Sequence, residues 1–146
     1  MISTRRPQKF SPRFEVVNCY LEHGNSILLL HRLPNKSEGG KWGLPGGKVD
    51  AGESILDAMV REIAEETSIW IEKNALSYIV KVFVKYPDYD FVYHMFRTRM
   101  DEKPVVRICD AEHQGYAWAS FKEALEMRLV RDLDACMYKA YPLFRF

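Results

Sequence analysis

The chain has little of what would place it outside the cytosol or on a polyanion. Three cysteines, Cys19, Cys109 and Cys136, lie far apart in 146 residues without CxxC spacing. Such an odd, scattered set reads as reduced core or surface thiols, which excludes a disulfide frame and a cysteine zinc site. The four histidines, His23, His31, His94 and His113, show no zinc spacing and read as core, strand-surface or turn residues. No apolar run approaches the roughly 18 residues of a membrane span, and the N-terminus lacks the order of charges, apolar stretch and small residues that marks a signal peptide. A formal net charge of +1, from 21 basic and 20 acidic residues, leaves no global field to attract nucleic acid or an acidic membrane. Repeats and low-complexity segments are absent as well. A single cytoplasmic domain follows, with neither nucleic acid nor membrane as partner and with a homodimer left open.

What is present divides into short, well-punctuated elements. Residues 1–13 hold Arg5, Arg6, Lys9 and Arg13 with two prolines and read as a flexible or loosely docked basic tail, leaving 14–146 as the folded domain. Phe14–Leu21 and Ile27–Arg32 are strand-like and flank a turn at Glu22–Ser26, which predicts a hairpin. Leu33–Gly47 is a loop rich in breakers, in which Trp42-Gly43-Leu44-Pro45-Gly46-Gly47 would let the backbone approach a ligand closely, and a strand is not expected there. A helix then starts at Ser54, with Asp57 completing a resemblance to a capping box. Its Leu56, Met59, Val60, Ile63 and Thr67 recur at helical spacing and are expected in the core. Ile79–Val84 and Phe91–Thr98 predict a second hairpin around Tyr86–Asp90, Tyr116–Ala119 a short strand, and Phe121–Met127 and Asp132–Ala140 helices. This order of elements is α/β, a mixed sheet flanked by helices.

One stretch carries chemistry. In GKVDAGESILDAMVREIAEETSI, Glu62, Glu65 and Glu66 stand at i, i+3 and i+4 of the expected helix, so their carboxylates share a stripe one turn long. A solvated glutamate face is the competing explanation for such a run. A cation resolves the repulsion, and an all-oxygen, carboxylate-rich donor set favours Mg²⁺ or Mn²⁺ over zinc, which points to a polyphosphate substrate.

The same stretch resembles the Nudix box, G-x5-E-x7-R-E-U-x-E-E-x-G-U with U aliphatic, through Gly47, Glu53, Arg61, Glu62, Ile63, Glu65, Glu66 and Ile69. The one departure is Ser68, where the pattern has glycine near the helix end, a position often left-handed and costlier for serine. The resemblance implies an α/β/α sandwich and a MutT-like, Mg²⁺-dependent hydrolase of phosphoanhydrides. It implies Glu65 and Glu66 as primary metal ligands, Glu62 as ligand or water-activating base, the Gly46 carbonyl as a further ligand, and Glu53 as a supporting carboxylate. Arg61 then holds Glu53, because a guanidinium fork fits a carboxylate. Glu112, six residues before Trp118 and close to Asp110, is the candidate for the distal ligand or general base, against a plain surface charge. Lys48 meets either phosphate or solvent. Trp42 and Trp118 read as structural anchors.

The leaving group is set by loops outside the box. Tyr86 stands at about the distance from the box that the family associates with dinucleoside polyphosphate hydrolases, and Pro87 slightly beyond the position linked with ADP-ribose hydrolases. The small size favours a nucleoside triphosphate pyrophosphohydrolase. Nucleotide-sugar (GDP-mannose type), ADP-ribose and dinucleoside polyphosphate hydrolases are the alternatives, together with a catalytically silent nucleotide sensor.

Overall fold

Period-two alternation along the two most apolar segments decides how the chain layers. In strand β2 (Pro12–His23), Val17, Cys19 and Leu21 enter one core and Tyr20 the other; in β3 (Ser26–Arg32), Leu28 and Leu30 join the first and Ile27 and Leu29 the second. Both faces of the sheet are therefore apolar and both need a cover. Helix α1 (Ile55–Thr67) covers the first with Ala58, Met59 and Ile63. Helices α2 (Phe121–Leu125) and α3 (Leu133–Ala140) cover the second with Phe121, Ala124, Leu133, Cys136 and Met137. The computed structural model, which describes residues 1–142, is thus an α/β/α sandwich around a mixed sheet.

The remaining strands are β1 (Ile2–Ser3), β4 (Trp42–Gly43), β5 (Gly46–Lys48), β6 (Ser77–Lys85), β7 (Asp90–Arg99) and β8 (His113–Ser120). The sheet runs β1-β6-β7-β2-β3-β4, with β5 added to β2 and β8 to β3. β2 and β7 are parallel from Phe14↔Phe91 to Glu22↔Arg99, and the other pairs are antiparallel. The predicted β6–β7 hairpin is present across its length. The β2–β3 hairpin is not a full one: only Glu22↔Ile27 and His23↔Ser26 pair before the strands part. β3 continues along β8, while β5 takes the vacated edge of β2 through Val16↔Lys48, Val17↔Gly47 and Asn18↔Gly46. That divergence sets the glycines against the middle of the central strand.

Several sequence expectations change for identifiable reasons. The loop 33–47 contains β4 and the start of β5; both strands are only two or three residues long, and at Gly46 of β5 the close approach of β2 leaves no room for a Cβ. Leu56 is 36 % exposed, and Ala58 is buried instead, because the stripe facing the sheet runs through 59, 63 and 67 with 58 and not 56 beside it. Ser54 caps α1 by accepting from Asp57 N at 3.1 Å, but the box is half formed, since the Asp57 carboxylate turns to Lys73. Residues 1–13, read as a loose tail, lie along the sheet here: Ile2 and Ser3 pair with Val84 and Phe83, and Phe10 packs edge-on against Phe83. Ser68 does adopt the left-handed conformation, at φ 62° and ψ 25°, and its N–H closes the helix on Ala64 O. Trp42 anchors the short strands by stacking on His31 at 4.3 Å.

Truncating a buried side chain of α1 should cost far more than truncating its exposed neighbour. Ile63→Ala is expected to lose about 2–5 kcal/mol and Leu56→Ala about 0.5 or less. Urea titrations of both variants check this, and similar losses would mean that α1 is rotated from the orientation described.

Candidate active site

The site is built where α1 meets β5. Gly46 and Gly47 sit under the acidic stripe of the helix; backbone blocks a side chain at Gly46, and at Gly47 one would have to displace the Glu62 carboxylate. A Cβ on Gly47 would stand 2.5 Å from Glu62 Oε1, and one on Gly46 would collide with the Val17 carbonyl and lie 2.7 Å from Asn18 Cβ. The Gly46 N–H donates to Glu66 Oε1 at 2.6 Å. Glu66, its side chain 13 % exposed, is pushed up to about 8 by burial; the Gly46 N–H pulls the other way, and Glu62 and Glu112 push further up. Burial also raises Glu62, against the pull of Arg61.

Arg61 is the only cation touching this acidic group among the described residues. Its Nε and Nη2 donate to the two oxygens of Glu53 at 2.8 and 2.9 Å, a bidentate fork. Nη1 donates to Glu62 Oε1 at 2.9 Å and reaches Glu65 at 3.3 Å, while Nη2 also meets the Lys48 carbonyl at 3.2 Å. The fork holds the Glu53 carboxyl below the usual carboxylate range, helped by the Asp50 N–H, and makes the guanidinium still harder to deprotonate. The expected Arg61–Glu53 pair is therefore present, and Arg61 also supplies counter-charge to Glu62 and Glu65. Glu65 itself remains 58 % exposed.

Other expected residues lie further out. Glu112 is exposed, 3.9 Å from Lys36 Nζ, and makes no direct contact with the box carboxylates among the described residues. Its neighbour His113 is the residue brought to the site: Nε2 stands 3.8 Å from Glu66 Oε2, and the side chain is buried. Burial and Arg32 lower its protonation range, so it meets Glu66 as a neutral imidazole at neutral pH. His113 Nδ1 and the Oδ1 of Asn18, paired in register with Gly46, are buried without a hydrogen-bond partner among the described residues. Asn18 went unread in the sequence, although a lone amide inside the apolar run Val16–Leu21 is itself a signal.

On the opposite face of β2, a cavity of about 270 Å³ is lined by Phe14, Tyr86, Phe91 and Tyr93, with Lys48 and Arg131. Phe14 stacks on Phe91 at 5.2 Å, Lys48 Nζ lies 4.3 Å above Phe14, and Arg131 lies 3.8 Å above Tyr86. The Tyr86 hydroxyl donates to Asp132 at 2.9 Å. Lys48 thus joins the glycine strand to an aromatic slot.

A NUDIX domain model matches residues 11–144. The chain belongs to the Nudix family. It is 31 % identical over 115 residues to the CTP pyrophosphohydrolase of Escherichia coli K12, covering 79 % of this chain and 82 % of that protein. It is 38 % identical over 74 residues to the Nudix hydrolase YvcI of Bacillus subtilis, where the match covers 51 % of this chain and 44 % of that protein, less than half its length. Among solved structures, a MutT protein from Methanosarcina mazei superposes with a TM-score of 0.78 at 25 % identity, covering 93 % of this chain and 97 % of that one. The NUDIX domain of Shewanella oneidensis NrtR, solved with ADP ribose, shares the fold with a TM-score of 0.76 at 22 % identity, covering 97 % and 94 %.

The Nudix carboxylates suit a divalent ion by chemistry more than by preset geometry. Among the described residues, no three His, Cys, Asp or Glu side chains converge as a ready ligand set. Yet Glu62 and Glu66 are both desolvated, only Glu62 is met by the Arg61 guanidinium, and the donors beside them are carboxylate and backbone oxygens apart from the His113 imidazole, a set that fits Mg²⁺ or Mn²⁺.

A folded carboxyl near 8 against 4.5 in the unfolded chain means that folding takes up a proton between those values, so ion-free stability falls as pH rises through that window. Glu66→Gln, whose amide oxygen can still accept from Gly46, should therefore melt higher than the parent in chelator at pH 8, with the gap closing toward pH 4.5. Added Mg²⁺ should raise the parent more than the variant. A gap that does not change with pH would show that Glu66 is not desolvated.

Proposed function

We propose that this chain is a Mg²⁺-dependent Nudix hydrolase, with Mn²⁺ as an alternative ion, that cleaves a phosphoanhydride in a nucleoside diphosphate linked to another group. A nucleoside triphosphate is the favoured substrate. The observation that carries the reading is the pair of desolvated carboxylates, Glu62 and Glu66, packed onto the side-chain-free backbone of Gly46–Gly47. Burying such charges is costly unless a cation meets them. Glu65, Glu66 and Glu62 would hold the ion, with the Gly46 carbonyl as a further oxygen. When bound, the ion neutralises the diphosphate and makes the attacking water more acidic.

The protein's own groups supply the rest. Arg61 orients Glu53 through its fork and keeps the acidic cluster together before the ion arrives. The Gly46 N–H holds one oxygen of Glu66, and His113 packs 3.8 Å from the other, beyond hydrogen-bond reach. Lys48 lies beside Gly47 and over Phe14, which suits a phosphate on one side and a ring in the aromatic slot on the other. A slot with walls of Phe14, Tyr86, Phe91 and Tyr93 suits a planar base, and Asp132 and Arg131 offer polar groups to its edge. The slot supports a nucleotide over an inorganic polyphosphate, and the E. coli relative named for CTP agrees with that class. Glu112, beside His113 and felt by Glu66, remains the candidate for the distal ligand or general base.

The test is pyrophosphate and phosphate release with Mg²⁺ over a panel of nucleoside triphosphates, oxidised nucleotides, ADP-ribose, nucleotide sugars and dinucleoside polyphosphates. Glu65→Gln and Glu66→Gln are expected to abolish turnover with the fold intact by circular dichroism. Arg61→Lys, which keeps the charge and loses the fork, should cost about 10–100-fold in kcat/KM. Full activity in Glu66→Gln would sink the metal assignment. Nucleotide binding without turnover across the whole panel would favour a sensor.

A further inference from the structure

An edge strand invites pairing with other chains, and β1 covers the edge of β6 by pairing Ile2 with Val84 and Ser3 with Phe83. Residues 1–11 also wrap β6 from one face of the sheet to the other. Val84 and Phe83 point to opposite faces, and the strap meets both. Ile2 packs against the core covered by α2 and α3 and lines the aromatic cavity together with Val84, Tyr86 and Tyr89. Phe10, 8 % exposed, lies on the other face, edge-on to Phe83 at 5.3 Å and in a small cluster with Phe83 and Val92. Further contacts hold this end of the strap. Lys9 adopts φ 54°, a conformation that costs a non-glycine residue, and its carbonyl accepts from Lys85 Nζ at 2.9 Å. The Ser11 N–H donates to Asp90 Oδ2 at 2.8 Å, and the same carboxylate pairs with Lys85 at 3.4 Å. Asp90 ends the turn 86–90, in which the Tyr86 N–H donates to the Tyr89 carbonyl at 3.0 Å. One carboxylate therefore ties the strap to the turn that carries two rings of the slot.

A cover for a β edge has no need of a side chain in a ligand cavity, yet Ile2 stands in one. We propose that the strap is a wall of the substrate slot: Ile2 is a specificity-determining residue that packs against the ring of the bound nucleotide, and Phe10 and Asp90, outside the slot, are positioning residues that hold it there. This rests on the hydrolase reading for the occupant of the slot and adds a wall from outside the box. Edge protection alone would make the strap matter for stability and not for ring binding.

The experiment compares the parent with Ile2→Ala, Ile2→Leu and Phe10→Ala. Calorimetry measures binding of the α,β-methylene analogues of CTP and ATP with Mg²⁺, with inorganic tripolyphosphate, which has phosphates and no ring, as the control ligand; turnover of CTP and ATP and melting temperature are followed in parallel. Lost methylenes beside a bound ring weaken its binding, so Ile2→Ala should raise Kd for the analogue that the parent binds more tightly, and KM for the matching triphosphate, about tenfold with kcat within about twofold. Ile2→Leu should recover most of the loss, and tripolyphosphate should bind all variants alike. Phe10→Ala, on the face of β6 away from the slot, should reproduce the loss by freeing the strap. Parental Kd in both alanine variants despite lower melting temperatures would overturn the wall, as would an equal loss for tripolyphosphate or a parent that binds neither analogue. Strap-dependent binding in a parent that hydrolyses neither triphosphate would retain the wall and defeat the hydrolase reading, so the two failures are distinguishable.

Discussion

The constraint on which the site depends is the approach of α1 to a strand that has no side chains. Gly46 and Gly47 lie where any Cβ would strike the Val17 carbonyl or the Glu62 carboxylate. Because they are bare, the helix can settle on β5, its acidic stripe can lose its water, and the Gly46 N–H can reach Glu66. Desolvation then does what propensity alone does not: it turns glutamates that would otherwise be ordinary surface charges into groups that need a cation.

The electrostatics follow from that approach. Nearest the backbone, Glu66 and Glu62 are raised by burial; one turn out, Glu53 is lowered by the Arg61 fork; beyond it, Glu65 is largely in water. Glu66 and Glu53 therefore differ in proton affinity because burial dominates at the first and the Arg61 guanidinium at the second. Arg61 spans the range and holds Glu53, Glu62 and Glu65 in one arrangement. The cluster is thus ordered by its own guanidinium, which meets Glu53, Glu62 and Glu65 but not Glu66.

Much of this was legible in order and type. The order of strand-like and helical segments foretold a mixed sheet flanked by helices, the spacing of Met59, Ile63 and Thr67 foretold the buried stripe of α1, and the glycine of the box pattern foretold the left-handed backbone that Ser68 adopts. Less legible were features that depend on where a segment lands. Leu56 fits a helical period and still faces water, since a period gives spacing and not the azimuth of the face. β4 and β5 hide among breakers, because a two-residue strand owes its existence to its partners. His113 looked like one more scattered histidine until β8 carried it to Glu66.

By itself the sequence determined the acidic cluster: Arg61, Glu62, Glu65 and Glu66 share one helix, Glu53 stands just before its cap, and i, i+3 and i+4 neighbours meet wherever that helix forms. Only the tertiary structure decided which carboxylates lose water, which histidine and asparagine stand beside them, and which aromatic rings line surfaces near the site. Those properties come from residues separated by tens of positions, brought together by the parting of β2 and β3 and the insertion of β5 between them. Such distances in sequence leave no periodic trace, because burial is a property of the neighbours a residue meets and not of the residue alone.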